Sequence, residues 1–193
     1  MSLRVIGGSA RGKRLKLVPG DSTRPIMDRV KEALFNIIGM DILDATILDL
    51  FAGTGSVAIE ALSRGAAQAT MLDLDRNAIQ TIQANLATTG FTDRASVHRV
   101  DAFSFLTATP NQSFDYIYIA PPQYKGFWLK ALMLLDSRPE WLTTDGEIIV
   151  QIDPEEKRPL DLQYYEAYDE RKYGRTLLIF YRSIQPETRS NNG

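Results

Sequence analysis

The stretch "ILDLFAGTGSVAIEALSRGA", residues 47–66, decides how this chain folds. An apolar run carries Asp49 near its end, Gly53 and Gly55 follow in a turn, and a helix pattern begins immediately afterwards. In doubly wound folds ligands bind at the carboxyl ends of the strands, where glycine lets backbone approach them closely. Gly53-Thr54-Gly55-Ser56-Val57-Ala58 meets the dinucleotide fingerprint only with alanine in last place, so the pattern alone names no ligand. Charge separates the readings. An anionic Asp49 four residues before the first glycine would repel a pyrophosphate but suits a ligand bearing an amine and a sulfonium. The cofactor read from this is S-adenosylmethionine; the competing reading is a tight strand-to-helix turn with no ligand.

Outward from this segment, "TMLDLDRNAI" ends a second strand on Asp73, 18 residues after Gly55, the position of a carboxylate that accepts hydrogen bonds from both ribose hydroxyls. Asp75 is read as the cap of the helix that begins near Arg76. Asp101, in "VHRVDAFSFL", stands where it can accept from an adenine amino group, or else cap the next helix. Phe51, Leu74 and Ala102 adjoin these carboxylates and complete the predicted cofactor-binding set.

From residue 46 onward strand and helix alternate: "TILDL", "GSVAIEALSRG", "QATMLDL", "RNAIQTIQANLATTG", "ASVHRV", a strand over 113–119 and a helix over 126–135. This predicts right-handed βαβ units in a parallel sheet covered on both faces. Near the end "EIIVQI", "YYEAY" and "TLLIFYR" follow one another with little helix, predicting an antiparallel hairpin at the sheet edge. Ahead of the core, residues 3–18 predict a hairpin, and "STRPIMDRVKEALFNIIG" a helix with Pro25 near its start and Gly39 past its end. The expected organisation is one domain over 1–183, with a basic arm over 1–40, a core over 41–183 and a polar tail over 184–193. Trp128, Leu132, Met133, Leu135, Ile79 and Ile82 are expected in the core, Trp141 against the sheet, and Asp153 to Arg158 as a solvated loop.

At 193 residues and 44% apolar, the chain suits a single full core. No stretch approaches the roughly 20 apolar residues of a membrane span, and Met-Ser-Leu-Arg lacks the apolar run of a signal peptide, so a cytoplasmic location is expected. There is no cysteine, which excludes disulfides, thiolate metal sites and a cysteine nucleophile. The single His98 lies in an apolar stretch and reads as structural or surface, and no metal is expected. Net charge is −2, yet residues 1–35 sum to +5 and the remainder to −7. A basic arm on an acidic body points to a polyanion partner, against the plainer reading of a solvated basic face.

The fourth strand ends in "DYIYIAPPQYKG", residues 115–126, running directly into two prolines. Asp49-Leu-Phe-Ala-Gly-Thr-Gly, Asp73, Asp101 and this Pro-Pro together resemble the class I methyltransferases of exocyclic amino groups. With "RVIGGSARGKRLKLV" and "TRPIMDRVKEALFNII" included, the resemblance narrows to the RsmD-type family, which methylates the N2 amine of a guanine in small-subunit ribosomal RNA. It covers nearly all of residues 3–182. It implies a Rossmann-like α/β fold with a seven-stranded, mostly parallel sheet. Asp49, Gly53 and Gly55 would hold the methionine end of S-adenosylmethionine, Asp73 its ribose and Asp101 its adenine. Arg11, Lys13, Arg14, Arg24 and Arg29 would meet RNA, free or in an assembling small subunit, with the protein acting as a monomer.

The implied catalytic corner is Ala120, Pro121, Pro122, Gln123 and Tyr124. The family pattern has Asp or Asn before the prolines and an aromatic directly after them. Here alanine stands first and Tyr124 comes one place late. Proline fixes φ, so the carbonyls of Ala120 and Pro121 can serve as rigid acceptors for an amine, with Gln123 a substitute acceptor and Tyr124 a ring for the extruded base. Two other readings stay open: an RNA-binding assembly factor that keeps the cofactor pocket without turnover, and an enzyme whose acceptor is adenine N6 in DNA or a glutamine amide in protein.

Overall fold

Along the central strands, neighbouring side chains fall into two different cores. Ile47, Tyr116, Tyr118, Ile149, Leu178 and Phe180 face one layer, while Leu48, Ile117, Ile119, Ile148, Val150 and Ile179 face the other. This two-residue alternation of apolar side chains on both faces is what a sheet covered on both sides requires. The computed structural model describes residues 3–20 and 26–184. Pro25, Arg24 and the tail beyond Ile184 lie outside the described residues.

The strands are β1 (Thr46–Asp49), β2 (Gln68–Asp73), β3 (Ala95–Arg99), β4 (Phe114–Ile119), β5 (Leu142–Ile152), β6 (Tyr165–Tyr173) and β7 (Thr176–Ser183). The helices are α1 (Asp28–Ile38), α2 (Ser56–Ser63), α3 (Arg76–Thr89), α4 (Ala102–Thr107) and α5 (Phe127–Ser137). The seven strands form one sheet in the order β3-β2-β1-β4-β5-β7-β6. The first five pair in parallel, and β7 runs antiparallel to both β5 and β6. The expected terminal hairpin is therefore present, but its second strand is inserted next to β5 and its first is the outer edge. Strand order reverses between β1 and β4, so the crevice beyond those two strand ends is the topological switch point.

Helices α1, α2 and α3 contribute to the core on one face, and α4 and α5 to the core on the other. Asp75 caps α3 as expected, its carboxylate accepting from Asn77 N at 2.8 Å. Trp128, Leu132, Leu135 and Trp141 are buried, and Ile82 with them, while Ile79 is half-buried. Met133 is 58% exposed, against expectation. Helix α5 is apolar on nearly every side, so sequence periodicity could not say which side faces the sheet. Among the described residues no helix is long and apolar enough to cross a membrane.

The arm is held to the core by buried polar groups. It folds back on itself with Val5 N donating to Lys13 O at 2.9 Å and Leu15 N to Leu3 O at 2.8 Å, although among the described residues of the arm only Arg4 and Arg14 form a bridge, so the hairpin is short. Glu60, fully buried on α2, accepts from Ile6 N (2.8 Å), Gly7 N (2.7 Å) and Arg64 Nε (2.8 Å), with Lys31 Nζ at 3.5 Å. Lys31, equally buried, donates to Arg4 O (2.7 Å) and Ser56 Oγ (2.8 Å). Burial lowers the Lys31 ammonium pKa and Glu60 pulls it back up, so the pair is held by mutual need. Gly8 makes the close approach possible: at φ +74°, an added Cβ would sit 1.8 Å from Ser63 O.

Removing one partner of a buried, multiply bonded pair typically costs about 3–5 kcal/mol. Glu60→Ala should therefore lower the free energy of urea unfolding by about that much, and Arg64→Met, at the partly exposed end, by roughly 1 kcal/mol. A loss below about 1 kcal/mol for Glu60→Ala would mean that the arm is anchored by other contacts.

Candidate active site

The switch-point crevice gathers the strand-end carboxylates. Asp49 closes β1 with only 2% of its surface exposed, accepting from Phe51 N at 3.3 Å. Burial pushes its carboxyl up to about 7; the Phe51 N–H offsets part of the rise and the Asp73 charge adds to it. Asp73, half-buried at the end of β2, accepts from Gly53 N (2.8 Å) with one oxygen and from Asp75 N (2.9 Å) with the other. The second lone pair on each oxygen is the acceptor that a ribose hydroxyl would need. Tyr118 lies opposite Asp49 in the β1/β4 register, its phenol donating to Gln151 Oε1 at 2.5 Å and kept protonated by burial and by Asp49.

The glycine loop between β1 and α2 is pinned residue by residue. Besides the Gly53 N–H on Asp73, Thr54 O accepts from Asn85 Nδ2 at 2.9 Å, Gly55 N donates to Ala52 O at 2.7 Å, and Ser56 Oγ accepts from Lys31. Gly55 has φ +75°, and a Cβ there would meet Met71 Sδ at 3.2 Å and Ile82 at 3.3 Å. The left-handed backbone torsion favours glycine, and the close side chains leave little room for a Cβ. Asn85, fully buried, also clasps the arm through Lys16 N (2.7 Å) and Lys16 O (3.1 Å).

Asp101 caps α4, accepting from Ser104 N at 2.9 Å and Ser104 Oγ at 3.1 Å through one oxygen. Both bonds use Oδ1. The capping alternative is thus realised, and Oδ2 is the atom an adenine amine would use. Of the neighbours, Ala102 is buried, Leu74 is 59% exposed, and Phe51 meets Phe103 edge-on at 6.1 Å between ring centroids. Phe103 in turn meets Phe127 at 5.5 Å, with Lys130 Nζ 4.1 Å above its ring. This aromatic wall between α4 and α5 was not foreseen; "DAFSF" contains its signal, a phenylalanine two places after the carboxylate.

At the end of β4, Ala120 and Pro121 are half-buried and Pro122, Gln123 and Tyr124 exposed. Tyr124 adopts φ +60°, a left-handed conformation that costs a non-glycine residue of order 1–2 kcal/mol. Its backbone N–H donates to Glu156 Oε2 at 2.9 Å, and its hydroxyl accepts from Arg175 Nη2 at 2.9 Å. Asp153 and Glu156 are buried and form a capping box, so within the segment expected to be a solvated loop these two pack beneath this corner, while Glu155, Lys157 and Arg158 are exposed as expected. The Glu155 N–H and the Arg175 guanidinium hold Asp153 below the usual carboxylate range.

On the arm, Arg11 and Arg14 are exposed, as is Arg29 on α1. Lys13 is exposed too, but its Nζ donates to Thr88 O at 3.0 Å, spending the charge on the carboxyl end of α3. His98 is exposed on β3. Among the described residues no group of three or more acidic or histidine side chains is arranged to hold a metal.

A sheet of this order, with carboxylates at the ends of β1 and β2 and a third just after β3, defines a Rossmann-like class I methyltransferase fold. The family described as "Conserved hypothetical protein 95" matches residues 3–182. The chain is 41% identical over 182 residues to "Putative rRNA methyltransferase YlbH" of Bacillus subtilis, covering 93% of this chain and 98% of the relative. It is 34% identical over 190 residues to "Ribosomal RNA small subunit methyltransferase D" of Escherichia coli, covering 98% and 93%. Among solved structures it is similar to "Putative methyltransferase yhhF" of Escherichia coli, with a TM-score of 0.84 at 34% identity over 95% of this chain and 98% of that one. The chain belongs to this family, the RsmD-type methyltransferases.

The Asp49 carboxyl gives a stability test. Its folded pKa of about 7 lies above the ordinary 3.8, so between those values the folded state binds more protons than the unfolded one. Below that window the group costs nothing; the cost grows as pH rises and levels off above about 7. Asp49→Asn should therefore stabilise the ligand-free protein by roughly 2–4 kcal/mol at pH 8 and hardly at all at pH 4, measured by urea unfolding. An equal effect at both pH values would show that Asp49 titrates normally.

Proposed function

We propose that this protein is an S-adenosylmethionine-dependent RNA methyltransferase that modifies the exocyclic N2 amine of a guanine in small-subunit ribosomal RNA. The observation that carries the reading is the row of strand-end carboxylates: Asp49 buried at the end of β1, Asp73 at the end of the adjacent β2 and Asp101 just after β3, with a proline-stiffened end on β4 at the other side of β1. These acceptors fit the donor set of that cofactor, since an ammonium favours the ionised Asp49, ribose hydroxyls fit Asp73 and an adenine amine fits Asp101 Oδ2. When bound, S-adenosylmethionine supplies an electrophilic methyl group on a sulfonium.

The chain's own residues then have two tasks. The amine of guanine is a weak nucleophile because its lone pair is delocalised into the ring. Carbonyl oxygens of Ala120 and Pro121, fixed by proline, would accept hydrogen bonds from its N–H groups and turn the lone pair toward the methyl group; as the nitrogen–methyl bond forms, the sulfur–methyl bond breaks to leave a neutral thioether, and the amine's surplus proton passes to water. Tyr124 stacks the extruded base, and the half-buried Phe51, Phe103 and Phe127 exclude water beside the reacting atoms. Outside the crevice, Arg11, Arg14 and Arg29 meet phosphates, with Arg24 in the same role from the sequence pattern. Names of the family relatives support ribosomal RNA as substrate; a cytoplasmic monomer acting on RNA or on an assembling small subunit completes the proposal.

Ala120 favours one second reading. A side-chain acceptor at this place would contribute roughly 10²–10³ in rate by analogy with an oxyanion-hole donor, and alanine has none. That would suit a binding factor with a retained pocket. The test is to incubate the protein with tritiated S-adenosylmethionine and small-subunit particles from cells lacking it, and to map the labelled base. Label on guanine N2 is expected, with Ala120→Asn changing the rate only modestly because Gln123 substitutes for the missing acceptor. Label on cytosine, on adenine or on protein would contradict the acceptor, and turnover that appears only in Ala120→Asn would establish the binding factor.

A further inference from the structure

The corner that carries Tyr124 is gripped from two distant parts of the chain. From below, the buried Glu156 accepts the Tyr124 N–H through Oε2 (2.9 Å), while its Oε1 accepts from Asp153 N at 3.4 Å. From the side, Arg175 at the turn between β6 and β7 donates Nη2 to the phenol oxygen at 2.9 Å. The same guanidinium is anchored on the buried Asp153 by Nε at 3.1 Å and Nη2 at 3.0 Å. The contacts close a ring: Tyr124 backbone, Glu156, Asp153, Arg175, Tyr124 hydroxyl. Both ends of one exposed aromatic residue are tied, and two carboxylates are buried to do it.

Ordinary loop stability does not call for this. A turn tip could leave a tyrosine solvated at no cost, whereas here a non-glycine residue is held at φ +60° with its hydroxyl fixed. Such strain persists only where surrounding structure determines it, and such sites are commonly functional. Tyr124 stands one place later than the aromatic of the family pattern, and the left-handed turn at this residue re-aims its ring. We propose that Glu156, Asp153 and Arg175 are positioning residues that preset the Tyr124 ring as a rigid platform for the extruded guanine. This rests on the reading that the corner receives a base. It assigns a function to the tip of the β6–β7 hairpin and to the 153–156 turn, and the ordering of the ring is completed before substrate arrives.

The test separates this inference from the methyltransferase reading. Arg175→Met and Tyr124→Phe both remove the Arg175–Tyr124 hydrogen bond while keeping the ring, and Arg175→Met also takes the guanidinium from Asp153. Tyr124→Phe should raise KM for small-subunit particles about three- to tenfold, the loss of one hydrogen bond near 1 kcal/mol, and Arg175→Met by at least as much, with the Kd for S-adenosylmethionine unchanged within about twofold in both. The double variant should be no worse than Arg175→Met alone. Multiplying effects in the double variant, or an unchanged KM in Arg175→Met, would overturn the clamp. If the wild-type protein transfers no methyl group, the methyltransferase reading fails, and the clamp is still read from hydrogen exchange of the Tyr124 amide. Exchange should quicken at least tenfold in Glu156→Ala and less in Glu156→Gln, with thermal unfolding recorded alongside; equal exchange in all three proteins would overturn it.

Discussion

Four consecutive residues of the glycine loop are held by four separate groups, and the rest of the molecule is arranged around that fact. Gly53 donates to Asp73 from β2, Thr54 accepts from Asn85 of α3, Gly55 turns back on Ala52, and Ser56 accepts from Lys31 of α1. Two of these holders, Lys31 and Asn85, also grip the backbone of the arm. Loop and arm therefore form one body. Buried ionic and amide groups are expensive unless every one is satisfied, and among the described residues no buried side-chain polar atom lacks a partner. The cost of placing Lys31 and Glu60 in the core is offset by fixing where a basic surface stands relative to the crevice.

Charge follows the same geometry. The arm carries exposed arginines on the outside, while its buried lysine points inward, so one basic segment supplies both an exposed basic surface and an internal anchor. At the opposite extreme, carboxylates collect at the strand ends. A buried carboxyl raised to about 7 is poised to ionise when a cation arrives and costs the folded state stability when none does. That is the usual signature of a binding group, whose cost is tolerated for what it recognises.

Much of this was legible in the sequence. The period of two in the strands, glycine and aspartate at their ends, and helix caps such as Asp75 are local signals, and the structure follows them closely through β4; β5 then begins at Leu142, five residues before the expected "EIIVQI". What could not be read depends on distance along the chain. Nothing local says that β7 enters between β5 and β6. Asp153 to Arg158 looks solvated because the partner that makes Asp153 useful, Arg175, lies 22 residues away, and Tyr124 is 51 residues from that same arginine. Asp101 was ambiguous because capping a helix and accepting from an amine need the same side chain in the same place; the structure shows one oxygen, Oδ1, doing the first. Met133 was misplaced because a helix apolar all round carries no directional signal.

The account stands on the claim that anionic strand ends, rather than the glycines, choose the ligand. Calorimetric titration of the intact protein with S-adenosylmethionine and, separately, with NADH tests this most directly. The account predicts saturable binding of the sulfonium compound at micromolar concentration and no measurable heat with the dinucleotide, whose pyrophosphate meets Asp49 and Asp73. Tighter binding of NADH, or binding of neither, would contradict it.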